Sequence, residues 1–106
     1  MVKIRFSGFA WDGANLLKCR KHGVPISEIE YVLAHIDSLM IPDLKNSQGE
    51  ARYIAIGQTA QARWIFVVFT LRQRAGVALL RPLSARYMHA TEIRKYEQEI
   101  ARAQKR

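Results

Sequence analysis

Three extended runs follow one another in the second half of the chain with little between them. Arg52–Gly57 alternates apolar and polar residues, Arg63–Leu71 is almost wholly apolar and rich in aromatic and β-branched residues, and Val77–Ser84 alternates again after a turn at Arg74-Ala75-Gly76. Such runs are strands because their side chains suit a pleated, half-buried surface. Connections of about five residues are too short for a crossover, so the three must be antiparallel neighbours. Unbroken apolar character from Trp64 to Phe69 marks a central strand covered on both faces. Pro82 has no N–H to give a ladder, so the third strand is either an edge or carries a bulge.

The first half reads as a strand, two helices and a further short strand. Lys3–Phe9 is the strand, closing at Gly8 and Trp11. Asp12 is placed to cap a helix over Gly13–His22 that turns Leu16, Leu17 and Cys19 inward and Lys18 and Lys21 outward, with Gly23 and Pro25 marking its end. Ser27-Glu28-Ile29-Glu30 fits a capping box for a second helix over Glu28–His35, whose Ile29, Val32, Leu33 and Ile36 form one stripe. Leu39-Met40-Ile41 is a strand stopped by Pro42-Asp43, and 44–49 is loop. A last helix over His89–Ala103 aligns Ile93, Tyr96 and Ile100. The order β-α-α-β-β-β-β-α is an α+β layer with helices on one side of a mostly antiparallel sheet, and 106 residues suffice for a single domain, 1–106.

Charge narrows the partners. Seventeen Lys and Arg against nine Asp and Glu give +8, and since cations and anions cancel up to Glu50, all the excess lies beyond it. Eleven of the cations are arginines, whose planar forks suit phosphate, nucleic acid or an acidic partner, with a solvated basic face as the plain alternative. The single Cys19 can form no intrachain disulfide, which favours a reducing, cytoplasmic setting. No apolar run is long enough to span a membrane, and the alternating N-terminus is no export signal.

Arg72, Arg74, Arg81, Arg86 and Arg94 concentrate at the end of one strand, its turn, the next strand and the start of the last helix. Arg81 shares a strand face with Leu79 and Leu83, so it needs an anion, whether a phosphate, a carboxylate such as Glu92 or an acidic partner. Ser84–Glu92 adds Tyr87, His89 and Glu92. Metal-free RNA cleavage requires a base for the 2′-hydroxyl, cations for the phosphorane and an acid for the leaving 5′-oxygen, and Arg, His, Glu and Tyr can divide those tasks. By themselves His89 and Glu92 also suit a helix start, His22 after Lys21 suits a helix end, and His35 suits packing. The three histidines lack any metal-ligand spacing, so neither metal nor other cofactor is expected. Trp11 and Tyr53 are the aromatics best placed to stack on RNA or touch a partner, while Trp64, Phe66 and Phe69 read as core.

Five separated phrases resemble one family: Phe9-Ala10-Trp11-Asp12, Lys21-His22-Gly23-Val24, Gly49 to Gly57, Phe66 to Thr70, and Arg81-Pro82-Leu83-Ser84-Ala85-Arg86 with Glu92 and Tyr96. Together they are similar to the BrnT toxins of bacterial type II toxin-antitoxin systems. That resemblance implies a RelE-like fold and a ribonuclease that inhibits translation by cutting RNA. It implies a BrnA-like antitoxin that supplies the DNA-binding part of the complex, so that DNA is met only through the antitoxin; a homodimer within the complex is compatible with it. By position, Arg81 and Arg86 would bind phosphate, and Glu92 and His22 would handle protons or orient the site. Arg72, Lys21, Arg74 and Tyr87 would contact RNA. Two other readings fit the same residues: an RNA-binding or interaction module without turnover, and a structural subunit whose arginines are used up by an acidic partner.

Overall fold

A computed structural model describes residues 4–35, 39–43, 45 and 49–104, with backbone alone at 39, 100, 103 and 104. The elements are β1 (Gly8–Phe9), α1 (Gly13–Arg20), α2 (Ile26–Ala34), β2 (Leu39–Pro42), β3 (Tyr53–Gln58), β4 (Trp64–Arg74), β5 (Val77–Tyr87) and α3 (Ala90–Gln104), the anticipated order. They build one sheet in the order β1-β5-β4-β3-β2. All its pairings are antiparallel except the short parallel contact of β1 with β5.

β4 is the middle strand, as its apolar run requires, but its faces are unequal. Ile65, Val67 and Phe69 are fully buried and join Cys19 of α1 and Ile29, Val32 and Leu33 of α2 in the core. Phe66 and Val68 face the other way and are only partly covered. The expected cover on both faces, with every helix on one side, is therefore corrected. α1 and α2 seal the inner face, whereas α3 meets the outer one, Tyr96 packing edge-on against Trp64 with ring centroids 5.4 Å apart.

The β4–β5 hairpin closes through Ala75 and Gly76, with φ of 52° and 77° opposite the Arg74–Val77 pair, the left-handed twist of a type I′ turn. Further along, Val68 pairs with Ser84 but Phe69 with Pro82, so Leu83 is an extra residue and β5 is bulged. Pro82 thus signalled a bulge and not an edge.

β1 is far shorter than the Lys3–Phe9 run, of which Lys3 lies outside the described residues. Ladder bonds from Ser7 N–H to Ala78 and from Ala10 N–H to Leu80 flank it. Beyond them Pro82 has no N–H to offer, and its carbonyl is already taken by the Asn15 side chain. That amide sets the phase of α1. Asn15 is buried and donates to the Ala10 and Pro82 carbonyls at 2.9 Å each, while its oxygen accepts from Asp12 N–H in a capping box with the Asp12 carboxylate. Leu17, expected inside, is consequently 76% exposed, and Cys19 alone meets the core fully. The Ser27 capping box does not form. α2 starts earlier, at Ile26 behind Pro25, without a side-chain cap, and Glu28 turns instead to Tyr87. Ile36 and most of 44–48 lie outside the described residues.

Asn15→Ala should cost about 3 kcal/mol, because it leaves two buried carbonyls and an amide without partners, whereas Leu17→Ala should stay within about 0.5 kcal/mol; urea unfolding of the two variants checks this. Ala75→Asn should raise stability by about 0.5 kcal/mol, since asparagine accepts positive φ more readily than alanine, read as a higher denaturation midpoint.

Candidate functional site

The bulge decides what Arg86 faces. Leu80 and Pro82 point into the core, and an unbroken strand would send Arg86 after them; the extra residue at Leu83 reverses the alternation, so Ala85 goes inside and Arg86 stands opposite Phe66 on the outer face. There its guanidinium lies 4.7 Å from the centroid of the Phe66 ring. Its two terminal nitrogens donate to the two oxygens of Glu92, each at 2.8 Å. Glu92 stands in the first turn of α3 and also accepts the His89 backbone N–H at 3.0 Å, so one carboxylate ties the helix start to β5. Both side chains remain about one-third exposed. Above all the Arg86 fork, then the His89 amide, hold the Glu92 carboxyl down at about 2, and Glu92 in turn raises the pKa of Arg86.

Arg81 and Arg72 have other carboxylates. Arg81, opposite Thr70, reaches Asp12 at 2.6 Å, the same side chain that caps α1. Arg72 pairs with Glu50, which also accepts the Thr70 hydroxyl. Both partners hold their carboxylates below the ordinary value, Arg81 chiefly for Asp12 and Thr70 followed by Arg72 for Glu50. Arg74 is exposed at the hairpin end. The arginines therefore do not converge on one spot. Arg86 stands opposite Phe66, and Arg72 lies six positions further along β4, about 20 Å at the usual strand rise. They form a row, with three guanidiniums each engaged by a carboxylate of the same chain.

Sequence neighbours separate here. Tyr87 pairs with Ile65 on the inner face, donates to Glu28 at 2.8 Å and carries the Arg63 guanidinium 3.6 Å above its ring, so it is not beside Arg86. Burial, then Glu28, pushes its phenol up, away from any role as a base. Lys21 and His22 are exposed in the turn between α1 and α2, and among the described residues no contact joins either to Arg86 or Glu92. Trp11 is tied by its indole N–H to Glu30, and Tyr53 stacks on Phe69 in the core. Among the described residues no three His, Cys, Asp or Glu side chains are grouped to hold a metal, and no helix is long and apolar enough to cross a membrane. Phe66, Arg63 and Glu50 were not singled out as site residues from the sequence; only the strand register reveals what they touch.

The Glu92 carboxyl titrates lower in the folded chain than in the unfolded one. Its contribution to stability is accordingly present above the ordinary 4.5 and lost as pH falls toward about 2. Partial exposure keeps this contribution modest. The difference in melting temperature between the native chain and Glu92→Gln should shrink across that window and stay constant above pH 5; a difference that grows on acidification would contradict the pairing.

A family model described as the ribonuclease toxin BrnT of type II toxin-antitoxin systems aligns with residues 11–92, from the start of the Asp12–Asn15 cap to Glu92. No curated protein matches the chain significantly. With that model covering most of the sequence, the chain belongs to the BrnT family of ribonuclease toxins of type II toxin-antitoxin systems.

Proposed function

We propose that this chain is a metal-independent endoribonuclease that inhibits translation in the cytoplasm, is neutralised by a BrnA-like antitoxin, and uses Arg86 and Glu92 as its central pair. The observation that carries the proposal is Arg86 itself, a planar fork laid on Phe66 at an accessible face and already engaged in the bidentate geometry that a phosphate also takes. Glu92 and the Tyr87 carbonyl account for three of its five N–H donors, leaving two for a phosphodiester.

The division of labour follows from charge. Arg86 stabilises the added negative charge of the phosphorane as the 2′-oxygen attacks phosphorus and the 5′-oxygen leaves. A phosphate that takes the fork from Glu92 removes the main cause of its low pKa, so the freed carboxylate becomes a better base for the 2′-hydroxyl proton, and the leaving 5′-oxygen takes its proton from solvent water. Arg72 and Arg74, further along β4, meet flanking phosphates, and Arg81 chiefly anchors the start of α1 through Asp12. His22 and Lys21 are outlying contacts in this scheme. A BrnA-like antitoxin with an acidic segment would compete for the same fork. The three intrachain ion pairs favour a second reading, binding without turnover.

Purified chain freed of any partner should cleave single-stranded RNA in excess chelator and leave 2′,3′-cyclic phosphate ends. Arg86→Ala should slow cleavage by about 100-fold or more at unchanged fold, and Arg86→Lys should restore little because an ammonium lacks the fork. Intact RNA, or cleavage only with added Mg²⁺, would sink the catalytic reading; salt-dependent binding without turnover would establish the second.

A further inference from the structure

A cavity of about 210 Å³ opens between the end of α2 and the β3–β4 hairpin, lined by Tyr31, His35, Gln58, Thr59 and Trp64 among others. Its walls are aromatic. Tyr31 and His35 pair with ring centroids 5.3 Å apart, Tyr31 is 41% exposed, and the Trp64 ring is held edge-on by Tyr96. Its floor is polar. Thr59, 4% exposed, accepts the backbone N–H groups of Gln61 and Arg63 on its hydroxyl oxygen, and among the described residues its O–H hydrogen has no acceptor. The Gln58 amide nitrogen reaches the Ala62 carbonyl, and its oxygen accepts nothing from the described residues. Ala62, at φ 63°, holds the hairpin in the bend that brings these groups together.

The cavity also has a fixed relation to Arg86. Trp64 and Phe66 share the outer face of β4 two positions apart, about 7 Å, and Glu92 and Tyr96 stand one helical turn apart on α3. One turn of α3 therefore holds Arg86 through Glu92 and Trp64 through Tyr96, keeping the two in register.

We infer that this cavity is a nucleobase subsite, which takes the base of the nucleotide next to the phosphate held by Arg86. The inference rests on the phosphate role proposed above for Arg86. Aromatic rings together with a few polar groups suit an unstacked base, whose faces stack and whose edge offers both donors and acceptors. Thr59 would donate to a base acceptor and Gln58 would accept from an exocyclic amine, which favours a base carrying both, such as adenine or cytosine, over uracil.

The test is a titration of the whole chain with adenosine 3′-monophosphate and, separately, with inorganic phosphate, following the Trp64 indole N–H and the Arg86 Nε–H by NMR, with Trp11 as internal control. The nucleotide should move both signals and phosphate only that of Arg86. Tyr31→Ala, at an exposed position, should weaken nucleotide binding about tenfold and leave phosphate binding unchanged. The subsite is overturned if Trp64 responds alike to both probes, or if Tyr31→Ala binds the nucleotide as tightly as the native chain. A Trp64 response without any Arg86 response would keep the base pocket and reject the phosphate role.

Discussion

The extra residue at Leu83 is the constraint from which the site follows. A strand has a period of two, so every side chain after an insertion changes face. Before it, Leu80 and Pro82 complete the core; after it, Ala85 takes the core position and Arg86 is delivered to the outer face beside Phe66. Without the bulge Arg86 would enter a cluster of Ile65, Val67 and Phe69, where an unpaired guanidinium cannot be accommodated. Pro82 belongs to the same device. It removes an N–H where β1 ends, and its free carbonyl is the one that Asn15 takes to dock α1. One local irregularity thus ends the parallel pairing, phases the first helix and aims the arginine.

The net charge of +8 is an incomplete guide to what the arginines do. Most of the acidic side chains placed near the sheet are committed to particular donors: Asp12 to Arg81, Glu50 to Arg72, Glu92 to Arg86, Glu28 to Tyr87 and Glu30 to Trp11. These links have unequal weight. Asp12 also caps a helix and Arg81 is the least exposed of the three arginines, so opening that pair would loosen α1. Glu50 and Arg72 are both more than a third exposed, and a surface pair of that kind adds little to stability. Arg86 with Glu92 lies between these cases. It is well aligned, yet it faces water and can be exchanged for another doubly accepting anion.

What the sequence disclosed and what it hid divide along physical lines. The β3-β4-β5 meander was legible because apolar period, turn residues and short connections all constrain the same pairing, and Pro82 pointed to the bulge. The α2 stripe of Ile29, Val32 and Leu33 was legible for the same reason of periodicity. α1 was misread at Leu17 because its phase is set by hydrogen bonds of Asn15, and hydrophobic patterning carries no trace of a polar anchor. Arg86 and Glu92 were identified as candidates, but their pairing was not, since it requires the helix start to turn back onto the strand. Tyr87 was misplaced beside Arg86 because adjacency in sequence is separation across a sheet.

The Arg86–Glu92 pair also bears on how such a chain can remain folded around a basic site before it meets RNA or a partner. An empty arginine cluster repels itself and strains the elements that carry it. Spreading the guanidiniums along β4 and β5, with a carboxylate for each of Arg72, Arg81 and Arg86, lowers that repulsion without a bound phosphate. The cost would fall on affinity, because a phosphodiester that took the whole fork, and not only its two free N–H groups, would displace Glu92 from two 2.8 Å hydrogen bonds. That displacement also releases the start of α3, since the same carboxylate accepts the His89 amide. Occupation of Arg86 is therefore coupled to the first turn of the helix that supports Trp64, and a ligand spanning both places would offset with base stacking what it loses in breaking the ion pair.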